Sequence, residues 1–108
     1  MRLGFQTTTR DGWHVLSVTG EVDVATAGSL REQLDETLSK GATKLCVDLE
    51  AVDFMDSTGL SVLVSLAREL GRSSTAVVTT RPNLLKIIEL TSLDGVMQVL
   101  SSTDALAS

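Results

Sequence analysis

The spacing of apolar and polar positions changes period several times along the chain, and each change marks an element. Residues 3–8 and 13–19 are β-rich runs joined at "TRDG". An Asp-Gly step between two such runs predicts a hairpin. After Gly20 the period lengthens: Ala27, Leu30, Leu34 and Leu38 recur at three and four residues. Arg31 and Asp35 stand one turn apart on the polar side of this helix, and Gly41 ends it. Residues 44–49, "KLCVDL", form a nearly continuous apolar run that suits a parallel strand covered on both faces. A second helix is expected from about Ser57 to Leu70, and "TAVVTT" reads as a short buried strand. Pro82 opens a third helix in the favoured first-turn position. "VMQVL" reads as a last strand and "STDAL" as a terminal helical turn.

The order is β-β-α-β-α-β-α-β with a terminal turn. Strands that alternate with helices after an opening hairpin predict a small α/β domain. The expected architecture is a central mixed sheet of four to five strands opening with a β-hairpin, with helices packed mainly on one side. Right-handed crossovers would bring the loops after parallel strands to one edge. With 108 residues, the chain has room for one core, and residues 1–108 are expected to form a single domain. The only aromatics are Phe5, Trp13 and Phe54, so Leu, Val, Ile and Ala must build that core.

In the second helix, Leu60, Leu63, Val64, Ala67 and Leu70 share one face, and the first four are expected to pack inward. Val62 and Leu66 point away from the centre of that face. Either the helix is buried from two directions, or Val62, with Leu66, belongs to a docking surface that starts at Ser57.

Charge narrows the classes of partner. The net charge is −5 and no run of Lys or Arg is present, so nothing stands ready to neutralise a nucleic-acid backbone. No apolar stretch approaches the ~20 residues of a membrane span. "MRLGFQTTT" lacks the hydrophobic region of a signal peptide, so a cytoplasmic protein, monomeric when free, is expected. Cys46 lies within an apolar run and is expected to be a buried, inert thiol. One Cys and one His cannot build a zinc site from this chain alone, and no cofactor is expected.

The candidate chemistry sits in "DFMDSTGLSVL", residues 53–63, where Ser57 stands between Asp56 and a helix. As a helix cap, a serine here is unremarkable. As a hydrolase nucleophile it lacks the Gly-x-Ser-x-Gly turn, and its only candidate imidazole base is His14, in the first hairpin. As a phosphoacceptor it is well placed, because a helix N-terminus presents unpaired N–H groups and the positive end of a dipole. Asp56 already supplies one negative charge, and Asp23 and Asp53 are expected to approach from neighbouring loops. Adding about −1.5 to −2 charge there would make a strongly anionic spot, which the fold would survive and a docked interface would not.

"GEVDVATAGSLREQL", followed at the right distance by "DLEAVDFMDSTGLSVLVSL", resembles the anti-sigma-factor antagonist family of STAS domains. The likeness runs over nearly the whole chain, through "RPNLLKIIELTSLDGV" and the tail. It implies that Ser57 is phosphorylated by a partner kinase that is also the anti-sigma factor. It implies that Asp23 sits at the partner surface, with Asp56, Thr58 and Gly59 shaping the loop and helix start. The unphosphorylated form would then sequester the anti-sigma factor and free the sigma factor, and a metal-dependent serine phosphatase would restore that form. Gly59, without a side chain, would permit close approach by a kinase active site. Two departures stand out: "TSL" where the family often has Thr-Gly-Leu, and "GRSST" in place of a Gly-rich turn. Two rivals remain at this point: a STAS interaction module serving another signalling scaffold or kinase–phosphatase pair, and a small serine-dependent enzyme.

Overall fold

A computed structural model describes residues 3–106. Five strands form one sheet whose order follows the chain: β1 (Gly4–Arg10), β2 (Trp13–Val22), β3 (Leu45–Met55), β4 (Thr75–Val78) and β5 (Gln98–Leu100). β1 is antiparallel to β2, and every later pairing is parallel. The crossovers are α1 (Ala27–Ser39), α2 (Ser57–Leu70) and α3 (Pro82–Thr91). In a sheet that grows in one direction through crossovers of one hand, the helices collect on one face. Leu16, Val18, Val47, Leu49 and Val77 point to that face and join Leu30 and Leu34 of α1, Leu63 and Leu66 of α2 and Leu84 of α3 in the main core.

The other face of the sheet carries a second, smaller cluster of Trp13, Val15, Cys46, Ala76 and Val78, covered by Leu106 beyond the short turn Thr103–Ala105. Burial leaves Cys46 with no solvent-exposed surface and pushes its thiol pKa up to about 12. The hairpin turns at Asp11 and Gly12, both at positive φ, as the Asp-Gly step requires.

Two strands differ in extent from the expectation. β2 runs on to Val22 and β3 to Met55, and the two pair along this whole length, from His14 opposite Leu45 to Val22 opposite Met55. The polar residues Glu50 and Asp53 interrupt the apolar run, which is why its pattern stops at Leu49. They sit where the register shifts: Leu49 and Glu50 oppose Val18 alone, and Asp53 falls between the pairs Gly20–Val52 and Glu21–Phe54. These are β-bulges, each adding a residue to β3, and a bulged strand bends locally.

Candidate functional site

The junction of β3 with α2 is built by Asp56. Its backbone is extended (φ −106°, ψ −170°), and its carboxylate accepts from the Thr58 N–H at 2.9 Å and from the Thr58 hydroxyl. Asp56, not Ser57, is therefore the helix cap. The hydrogen bond from the Thr58 hydroxyl is the main reason the Asp56 carboxyl is held below the usual carboxylate range, against a smaller opposing effect of desolvation. Ser57 is the first helical residue and is exposed. Its carbonyl accepts from the Ser61 hydroxyl at 2.9 Å, while its own hydroxyl makes no hydrogen bond among the described residues. Of the two adjacent hydroxyls, Thr58 is engaged and Ser57 is free.

The junction is held against β2. The Asp56 N–H donates to the Val22 carbonyl at 3.1 Å, next to the Val22–Met55 pair. Gly59 is buried on the same spot: a Cβ there would lie 2.6 Å from Val22 Cγ1 and 2.9 Å from Met55 Cγ. The close approach that Gly59 permits is thus to its own sheet, because the first turn of α2 lies directly on the ends of β2 and β3. That corrects the expectation that Gly59 opens the site to an enzyme.

Asp23 follows directly on Val22, so its loop flanks the start of α2. Its carboxylate turns back into that loop, accepting from the N–H groups of Ala25 at 2.9 Å and Thr26 at 3.2 Å. The Thr26 hydroxyl donates to the Glu21 carbonyl at 2.7 Å and accepts from the Asp23 N–H at 3.0 Å. The closed loop holds Val24 outward, 81% exposed. Asp53 lies in β3 rather than in a loop and forms an ion pair with Arg81 at 3.5 Å, so it faces the start of α3.

The faces of α2 differ in part from the expectation. Leu60, Leu63 and Ala67 are buried as expected and Leu66 is buried with them, while Val64 is half-buried and packs on the main core. At ~100° per residue, Leu60 and Leu66 lie about 60° to either side of Leu63, so the inward stripe is centred on Leu63 and Leu66 falls within it. Val62 is half-buried and packs on the main core. A groove of about 580 Å³ instead runs along the side of α2 from Ser57 through Leu60, Ser61 and Val64 to Arg68 and Glu69, with Thr91 of α3 on its far wall. Sequence reasoning missed Ser61 and Ser65, which also line this groove, although their four-residue spacing from Ser57 places all three on one helical face.

The geometry also separates Ser57 from the one imidazole. His14 lies near the start of β2, whereas Ser57 follows Met55, the partner of Val22 at its end, so the eight residues from His14 to Val22 put roughly 25 Å of strand between the two. No proton can pass directly between them. Among the described residues no group of His, Cys, Asp or Glu could hold a metal ion, and no helix is long and apolar enough to cross a membrane.

Comparisons with known proteins agree with this arrangement. The STAS domain family model matches residues 4–106. The chain is 36% identical over 98 residues to the anti-sigma-F factor antagonist RsfB of Mycobacterium tuberculosis, covering 89% of this chain and 80% of RsfB. Its fold is similar to that of an anti-sigma factor antagonist from Mycobacterium paratuberculosis, with a TM-score of 0.88 and 30% identity over 96% of this chain and 90% of the other. It is also similar, at 25% identity, to SpoIIAA in its unphosphorylated form (TM-score 0.74, 95% of this chain and 93% of the other). The phosphorylated form of SpoIIAA, a Bacillus cell fate determinant, matches with a TM-score of 0.67, over 95% of this chain and 96% of the other. With the family match spanning nearly all of its length, the chain belongs to the anti-sigma factor antagonist family of STAS domains.

Proposed function

We propose that this protein is a cytoplasmic, non-enzymatic antagonist of a kinase-type anti-sigma factor, switched off by phosphorylation of Ser57. The observation that carries the reading is the free, exposed Ser57 hydroxyl at the first turn of α2, beside a Thr58 hydroxyl already committed to Asp56. The relatives named as anti-sigma factor antagonists, and the solution of SpoIIAA structures in two phosphorylation states, support carrying this role over to Ser57.

The partner surface would comprise the Asp23 loop with Val24 at its tip, the Asp56–Gly59 turn and the groove that begins at Ser57. Val62, half-buried, would lie at its margin. The unphosphorylated protein would occupy the anti-sigma factor and release the sigma factor. A phosphate on Ser57 suits the helix N-terminus of the free protein, because unpaired N–H groups and the dipole favour an anion there. The same phosphate, next to the Asp56 carboxylate, would be buried without a countercharge once a partner docks. A metal-dependent serine phosphatase would reverse the change.

The test is affinity for the kinase-type anti-sigma factor, measured for wild type, Ser57→Ala and Ser57→Asp. Ser57→Ala should bind like wild type and accept no phosphate. Ser57→Asp should lose about a hundredfold in affinity, as expected for an unpaired charge at an interface. Equal binding by all three, with phosphate found on another residue, would overturn the assignment.

A further inference from the structure

β3 and β4 pair only from Leu45–Thr75 to Asp48–Val78. Beyond Asp48, the β4 side of β3 has no neighbouring strand, yet both bulges lie in this stretch. Two side chains from the start of α3 occupy that edge. The Arg81 Nε donates to the Glu50 carbonyl at 2.6 Å, and the Asn83 Nδ2 donates to the Asp53 carbonyl at 3.1 Å. The contact is reciprocal: the Glu50 carboxylate accepts from the Thr80 N–H and, at 2.7 Å, from the Thr80 hydroxyl. Hydrogen bonding from Thr80 is also the main reason the Glu50 carboxyl is held below its ordinary range.

We infer that Arg81 and Asn83 are positioning residues for Ser57. Each takes a backbone carbonyl at a bulge that no strand can pair, and together they fix the bend that aims Met55 and Asp56 into α2. A bulge leaves its extra residue unpaired and disrupts the ladder locally, so hydrogen bonds from outside the ladder add directly to what holds its shape. Here the two holding points are residues 50 and 53, and the chain reaches Ser57 four residues later. The bend of β3, the cap and the direction of the Ser57 hydroxyl are thereby coupled to the position of α3. The link to phosphorylation rests on the proposed role of Ser57; the structural clamp does not.

The experiment is amide hydrogen exchange by mass spectrometry on the full chain, for Arg81→Ala and Asn83→Ala. Losing one such hydrogen bond should raise exchange across residues 50–58 by about tenfold. Exchange in residues 14–18, 45–48 and 75–78 should change much less. Asp53→Asn gives up only its exposed ion pair with Arg81, keeps both backbone contacts and should change exchange little. Arg31→Ala removes contacts to Ser65 and Glu69 between α1 and α2, far from the bulges, and should leave residues 50–58 protected. Asn83→Ala, which loses a single exposed contact, serves if Arg81→Ala does not fold.

Phosphorylation by a kinase-type anti-sigma factor with MgATP provides a second readout. In both variants kcat/KM at Ser57 should fall about tenfold, and Arg81→Lys, which restores one donor, should recover part of it. Unchanged exchange across 50–58, or an equal rise in Arg31→Ala, would overturn the clamp. Raised exchange with an unaltered phosphorylation rate would leave the clamp standing and overturn the positioning of Ser57. Raised exchange in a chain whose wild-type form accepts no phosphate at all would support the clamp and remove only the acceptor reading.

Discussion

Gly59 and Val22 meet so closely that a single methyl on Gly59 would stand 2.6 Å from Val22 Cγ1. Val22 is fully buried and β-branched, so it cannot swing aside as a longer side chain would. Gly59→Ala should therefore destabilise the domain by about 1–3 kcal/mol through overpacking, less the ~1 kcal/mol of helix propensity that alanine returns. Urea unfolding measures the net loss. Val22→Ala should partly rescue it, and a double-mutant cycle without coupling would refute the contact.

The Asp56–Thr58 cap makes stability depend on acidity. A carboxyl whose folded pKa is depressed stabilises the fold fully above its unfolded pKa and ceases to do so as pH falls through the folded value. Asp56→Ala should therefore unfold at lower urea concentration than wild type near neutral pH. That difference should narrow as pH drops below the ordinary carboxylate range. A gap independent of pH would mean that the charge on Asp56 contributes nothing to the cap.

Ser92 ends α3 in the left-handed region, at φ 56° and ψ 34°, with its N–H donating to the Glu89 carbonyl at 3.3 Å. This is the serine of "TSL", and the geometry explains why glycine is favoured there. Ser92→Gly should stabilise the protein by about 1 kcal/mol and raise Tm by about 5 °C in a thermal melt. A fall in Tm would show that the serine side chain contributes contacts worth more than the strain.

Cys46 is fully buried beneath the C-terminal turn, and its thiol is pushed up to about 12 mainly by that burial and secondarily by the nearby Asp48 carboxylate. Reaction with a thiol reagent at neutral pH should be slow in the native state and should accelerate with urea in step with unfolding. Rapid native labelling would mean that the turn at Thr103–Ala105 opens on its own.

The elements, their order and the α/β class were legible in the sequence because they depend on local periodicity. The β-rich runs around Asp-Gly in the hairpin, Leu30, Leu34 and Leu38 in α1, and Pro82 at the start of α3 each reflect geometry within a few residues. The likeness of "DFMDSTGLSVL" to the anti-sigma factor antagonists located the candidate acceptor for the same reason: its residues are contiguous. What sequence could not supply were the contacts made across the chain. Whether Asp56 or Ser57 caps α2 turned on which backbone was extended, and Gly59 took its meaning from Val22, which lies on another strand. Several apolar positions of α2 compete for its inward stripe, and only packing against the sheet and α1 centred it on Leu63, with Leu66 inside it and Val64 at its margin. The length of β3 was hidden because Glu50 and Asp53 interrupt its apolar run, and only pairing with β2 makes those residues strand. Short-range spacing is fixed by covalent geometry, whereas a bulge, a close approach or a shared face exists only once distant segments pack.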